Sequence, residues 1–386
     1  MSNRGIDRNE VGSDVSEPPV TVETADAARM GGGERVSAAS RRSRRLWRRL
    51  MTAIAWSLVA YTGACVMLGF LQRRLIYLPT RVAALPASES GWPRALIADV
   101  ACRTDDGLTL HGWYVRSPRN DTGGNAGRAG ESPAGPKREA VAAGGEKDRR
   151  VVDWARSAPW VVLFFHGNGG HRGCRLPEAE LFTRHGADVV LTDYRGYAEN
   201  PGSPTETGLR LDARAWWRWL TTDCGVVPRR VIVYGASLGG AVATRLAGEL
   251  CDRGTPPAAL ILRSTFSSLV DVAAYHYPWL PVRALLAERY DSHNWIGRVT
   301  CPILVIHGDA DRIVPIRFGR RLFEAAPETS HDGVPKKFVQ IAGGGHNDLV
   351  VLHGETLSRA VAGLLETLRR VGEPRATGRS AAPQRS

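Results

Sequence analysis

Apolar and polar positions change rhythm several times along this chain. Residues 1–40 carry no apolar period and are rich in Gly, Ser, Ala and acids, which predicts a disordered tail. From Met51 to Leu71 no charged residue occurs, a run long enough to cross a bilayer once. Residues 96–103 and 108–116 then alternate around Asp105-Asp106-Gly107, a hairpin signal. The pattern dissolves over 117–158, a Gly-, Ala- and charge-rich stretch that predicts a disordered surface insertion. It is not a domain boundary, because strand-like sequence resumes at once. A continuous apolar run at 160–166 and apolar-rich runs at 187–194, 231–235, 258–264, 301–308 and 336–343 predict strands. Helical spacing appears between and after them, at 175–185, 206–221, 238–250, 317–325 and 348–371.

Uninterrupted apolar strands alternating with helices predict an α/β fold: a mostly parallel sheet with helices on both faces. The pair before residue 117 adds an antiparallel edge. The organisation expected is a tail with a basic block (1–50), a membrane anchor (51–71), one α/β domain (72–372) and a second disordered tail (373–386). Functional groups in such a sheet gather at the carboxyl ends of the strands.

The chemistry centres on the run from Val231 to Gly240. Strand-forming residues end in Gly235, Ser237 follows, and Gly239 and Gly240 open a helix. This G-x-S-x-G pattern predicts a sharp strand–helix turn that lifts a serine hydroxyl above the sheet, with the Leu238 N–H facing the same space. A serine hydroxyl needs a base to take its proton, usually a histidine oriented by a carboxylate. The run ending His307-Gly308-Asp309-Ala310-Asp311 offers either Asp309 or Asp311. The next run ends in three glycines and His346. Ser, Asp, His is the chain order of the α/β-hydrolase triad. His307 and His166, each at the end of an apolar strand, are expected to be structural. The short loop His166-Gly167-Asn168-Gly169-Gly170 can bare backbone N–H groups, so Asn168 and Leu238 are the expected oxyanion donors.

Charge changes the picture in one place. The net charge of +12 invites a nucleic-acid reading, but no nucleic-acid fold signature accompanies it. Arg41, Arg42, Arg44, Arg45, Arg48 and Arg49 form one block directly before the apolar run, a juxtamembrane position. After the run the near cations are Arg73, Arg74 and Arg81, so the positive-inside rule places the N-terminus in the cytoplasm and the large domain outside it. The long tail and the lack of a small-residue cleavage site argue for an uncleaved anchor over a signal peptide. The six cysteines show no CxxC pair and no Cys/His ligand spacing, which predicts no metal site; no cofactor is implied.

Taken together, LQRRLIYLPT, HGNGG, DYRGYAENPGSPTE, GASLGG, HGDADRIVP and GGGHND resemble the α/β-hydrolase superfamily over roughly residues 70–370. Within it the chain looks like membrane-anchored single-pass serine hydrolases related to acyl-protein thioesterases and to serine-aminopeptidase-type hydrolases. The resemblance implies Asp311 rather than Asp309 as the catalytic acid and Asn168 as an oxyanion donor. It also implies that residues 265–298 form a cap over the nucleophile; the aromatics of that stretch, Tyr275, Tyr277 and Trp279 among them, suit an acyl chain or, for most of them, simply pack the cap against the body. One departure is Ala198-Glu199-Asn200 after Gly196-Tyr197, where the family has Gly-x-Ser. The function expected is hydrolysis of an ester or thioester of an acyl-bearing small molecule, protein or lipid at a membrane. The alternatives are a peptidase removing N-terminal residues, for which Glu199 is the one acidic hint, and a non-catalytic anchored binding protein.

Overall fold

The computed structural model describes residues 27–121 and 148–372. Helix α1, Ala27–Ile76, contains the apolar run. Its Ser40–Ile76 portion is long and apolar enough to span a membrane, and 6% of its most apolar stretch is buried, so it is not a core helix. Leu46, Trp56, Leu58 and Val59 are all exposed on it. The tail expected to be disordered through residue 50 is therefore helical from Ala27. Ala and Arg are good helix formers and favour extension of a helix nucleated in the apolar run, against about 1 kcal/mol for each of Gly31, Gly32 and Gly33.

The described residues divide into two compact units, with the boundary inside α1 between Ala64 and Cys65. The second unit holds a single large sheet. Its strands are β1 (Ile97–Arg103), β2 (Thr109–Val115), β3 (Trp160–Phe165), β4 (Ala187–Thr192), β5 (Val231–Ala236), β6 (Ala259–Arg263), β7 (Ile303–Gly308) and β8 (Lys337–Ile341). They lie in the order β8-β7-β6-β5-β3-β4-β2-β1. Pairings from β8 through β4 are parallel, while β2 runs antiparallel to both β4 and β1. Both faces of β3 to β7 are buried, as their apolar runs require, while the edge strand β8 is largely open. Within β5, Val231 and Val233 enter the core on one face and Ile232 and Tyr234 the core on the other.

Helices cover both faces. Helices α4 (Glu206–Arg218) and α5 (Leu238–Asp252) pack on one side through Leu209, Trp216, Ala241 and Leu246. Helices α3 (Leu176–Thr183) and α10 (Leu349–Gly372) cover the other through Phe182, Leu357 and Leu365. Helix α9, Ile316–Glu324, follows β7.

Two expectations need correction here. The stretch read as disordered over 117–158 ends in helix α2, Arg149–Ser157; the carboxylate of Asp148 caps it by accepting from the Arg150 N–H at 3.0 Å. Val151, Trp154 and Ala155 fall at i, i+3 and i+4 and are buried, a short amphipathic signal hidden behind low-complexity sequence. The opening of that stretch is also ordered, with the Ser117 N–H bound to Asp188 at 2.8 Å. Residues 122–147 and both tails, 1–26 and 373–386, lie outside the described residues. Second, residues 265–298 form helices α6 (Leu269–His276), α7 (Val282–Leu285) and α8 (His293–Ile296); Tyr275 packs against Phe318 of α9, ring centres 6.0 Å apart, whereas Tyr277 and Trp279 stack edge-on with each other. All three keep exposed surface, Trp279 by 65%, and Tyr275 also carries the Arg317 guanidinium of α9 3.7 Å from its ring centre.

Candidate active site

Strand β5 and helix α5 meet at Ser237, whose φ of 52° and ψ of −118° lie where few non-glycine residues go. Two glycines make this turn sterically feasible. A Cβ on Gly235 would sit 2.3 Å from the Gly239 carbonyl oxygen, and one on Gly239 would sit 2.1 Å from that of Phe165. Strand, turn and helix thus touch backbone to backbone, and the serine side chain is forced out at the apex. Ser237 is held there by its N–H, which donates to the Arg263 carbonyl at 2.8 Å, and by the Thr265 hydroxyl, which donates to its carbonyl at 2.8 Å.

Sheet order brings the partners in. Strands β6, β7 and β8 follow β5 side by side, so the turns after β7 and β8 lie beside the serine. His346 Nε2 is 3.0 Å from Ser237 Oγ, and its Nδ1 is 2.6 Å from Asp311 Oδ2. The second Asp311 oxygen accepts from the N–H groups of Ile313 and Val314 at 2.9 and 2.8 Å. Burial alone would raise the Asp311 pKa; hydrogen bonds from His307 and His346 outweigh it and hold the carboxyl well below the usual carboxylate range. An ionised Asp311 fixes the imidazole with Nδ1 protonated and the Nε2 lone pair towards the serine.

Asp309 does not reach the histidine. Its carboxylate accepts from Gln340 Nε2 at 2.8 Å and from the Gly343 N–H at 2.7 Å, closing the turn before His346. His307 is fully buried; its Nε2 lies 2.8 Å from the Val314 carbonyl and 3.4 Å from Asp311, behind the acid. His166 is buried as well, with Nδ1 2.6 Å from the Gly167 carbonyl and Nε2 3.3 Å from Asp193.

The glycine-rich loop after β3 faces the elbow: a Cβ on Gly167 would stand 3.5 Å from Ser237 Cβ. Asn168 follows in this loop. Leu238 is the first residue of α5, where helix geometry leaves the N–H groups without intrahelical acceptors. Backbone N–H groups of this kind are the donors an oxyanion needs.

Some contributors were not visible from the pattern of residues. Arg263, the last residue of β6, is nearly buried; it pairs with Glu178 at 2.5 Å and donates from Nη1 to the His346 carbonyl at 3.2 Å. Burial opposes its charge, but Glu178 and the Tyr234 hydroxyl raise its pKa above normal. The sequence signal was a cation closing an otherwise apolar strand. Glu199, the acid considered for an amine subsite, is instead gripped by Arg172, whose Nη1 and Nη2 donate at 3.0 and 2.5 Å. Arg172 also binds Asp193 at 2.6 Å. Among the described residues no group of three His, Cys, Asp or Glu side chains is placed to hold a metal ion.

Residues 161–287 match the family model for the alpha/beta hydrolase fold. An uncharacterized protein of Mycobacterium tuberculosis is 38% identical over 313 residues, which is 81% of this chain and 94% of the relative. The lysophosphatidylserine lipase ABHD12 of Danio rerio is 31% identical over 335 residues, 82% of this chain and 82% of the relative. Among solved structures, an esterase from Pyrococcus furiosus superposes with a TM-score of 0.52 at 17% identity, covering 76% of this chain and 98% of its own; at that identity the likeness is one of fold.

Proposed function

This chain belongs to the α/β-hydrolase fold family as an ester hydrolase, and from that premise we propose a membrane-anchored serine enzyme that cleaves the acyl ester of a lipid-like substrate through an acyl-enzyme. The observation carrying this reading is the hydrogen-bonded series from Asp311 through His346 to Ser237, at 2.6 and 3.0 Å. Ser237 Oγ attacks the ester carbonyl while His346 Nε2 takes its proton. The N–H groups of Asn168 and Leu238 hold the developing oxyanion. The imidazolium, steadied by Asp311, passes the proton to the leaving alcohol. Water, activated by the same imidazole, then releases the acid. A thioester would follow the same steps.

An acyl-lipid substrate is supported by the apolar helix that precedes the domain in the sequence and by the lipase among the relatives. Occupation of Glu199 by Arg172 speaks for an ester over a free-amine peptide. The test is a panel of p-nitrophenyl esters of rising chain length beside aminoacyl-anilides. Ester turnover that improves with chain length is expected, and a preference for anilides would overturn the reading.

The arginine block before the helix favours a cytoplasmic N-terminus and an exported domain. Alkaline phosphatase fused at the C-terminus should then be active in intact cells. A fusion inactive there, with a cytoplasmic reporter active in its place, reverses the topology.

A further inference from the structure

We propose that residues 72–82, leading out of helix α1, form a strap that positions the oxyanion loop and the cap together, with Tyr77 and the Asn168 carboxamide as its positioning contacts. The inference rests on the reading of Asn168 N–H as an oxyanion donor.

An oxyanion donor is effective only when its N–H is aimed at a fixed point, and misplacement by about 1 Å costs on the order of 100-fold in rate. The loop that must aim it contains Gly167, Gly169 and Gly170, a backbone with little stiffness of its own. The strap supplies the missing constraint. The Leu78 N–H donates to the Asn168 carbonyl at 2.9 Å, and Asn168 Nδ2 donates back to the Ile76 carbonyl at 3.0 Å. Leu78 and Pro79 continue this contact as a short parallel pairing with Gly169 and Gly170. A little further on, the Ala198 N–H donates to the Thr80 carbonyl at 2.9 Å, and Tyr197 donates its hydroxyl to the Asn168 carbonyl at 2.7 Å.

Between Ile76 and Leu78, Tyr77 turns the other way. It is 2% exposed, and its hydroxyl donates to Glu288 at 2.8 Å and lies 2.7 Å from that of Tyr290. Glu288 is itself buried and belongs to the cap segment. It also accepts from Arg73 Nε at 2.8 Å and from the Glu206 N–H at 2.5 Å. Gln72 adds two more ties, accepting from the Ala287 N–H at 2.7 Å and donating to the Leu285 carbonyl at 3.3 Å. Alternate residues of one short segment therefore hold the oxyanion loop and the cap. A shift of either is transmitted to the other through three consecutive peptides.

The experiment uses the full-length protein in detergent micelles and compares Tyr77→Phe, Asn168→Ala and the double variant. Asn168→Ala keeps the backbone N–H and removes only the carboxamide clasp. With p-nitrophenyl acetate, each single variant should lose about tenfold in kcat with KM nearly unchanged. The double variant should lose much less than the product of the two, because both act through one strap. Amide hydrogen exchange at Gly169 and Gly170 should quicken in Tyr77→Phe, although Tyr77 touches neither. Wild-type kcat in both variants, or multiplicative losses with unchanged exchange at these glycines, overturns the strap. If the unaltered protein hydrolyses no ester, the functional reading fails, while the exchange measurement still decides the strap.

Discussion

Replacing Ser237 by alanine is expected to lower kcat by about 10⁴ to 10⁶-fold and to abolish labelling by a fluorophosphonate probe. The magnitude follows from the role: without Oγ there is no acyl-enzyme, and what survives is the contribution of binding and of the Asn168 and Leu238 donors to attack by water. The fold should survive the change. Alanine is no more strained than serine at φ 52°, and the bonds that fix the turn run through the Ser237 backbone to Arg263 and Thr265. The variant should therefore melt near the parent and still bind substrate. Labelling that persists would mean another nucleophile, and the site would have to be sought elsewhere.

The second large effect is expected for Asp311→Asn, about 10⁴-fold in kcat with little change in KM. Size and packing are conserved, so the loss is electronic. The carboxamide can turn its NH₂ towards His346 Nδ1, which then carries the lone pair; the proton moves to Nε2, and the imidazole can no longer accept from Ser237. The charge that would balance the imidazolium is also gone. In the parent enzyme the acid limb of activity should not come from Asp311. Its folded pKa is depressed, so the carboxylate persists well below the ordinary carboxyl range. By the same sign, the stability it contributes is fully present above the unfolded value, near 3.9, and is lost only as pH falls through the lower folded one. Asp309→Asn is the matched control: it touches the turn at Gly343 and not the imidazole, and should leave kcat within a few-fold. Equal losses in the two variants would remove Asp311 from the series.

Most of the architecture was legible because it is local. The central strands β3 and β5 are unbroken apolar runs, β4, β6 and β7 nearly so, and each covering helix shows an apolar face, so burial on two sides or on one is written into the run itself. The misreadings share a cause. At 149–157 the helical signal is three residues long and follows a stretch without pattern, and its stability comes from burying Trp154 and Val151. In the tail, helix propagates from the neighbouring apolar run, which a residue-by-residue pattern does not record. Tyr277 and Trp279 lie past the end of α6 and stack on each other, an arrangement that aromatic content alone does not give.

The sequence by itself determined the alternation of strands and helices, the serine at a glycine-flanked turn, the order of serine, acid and histidine, and an apolar helix long enough for a bilayer. These depend on neighbours in the chain, or on turn chemistry that allows few residue types. Residue spacing left Asp309 and Asp311 open and the family resemblance pointed to Asp311; only the tertiary structure shows its contact with His346, that Glu199 is taken by Arg172, that Arg263 holds the histidine's carbonyl, and that the segment leaving the helix ties the Asn168 loop to the cap. Those contacts join residues from 27 to more than 200 positions apart. They follow from the lateral order of strands in the sheet and from loops crossing its edge, and no local periodicity carries that information.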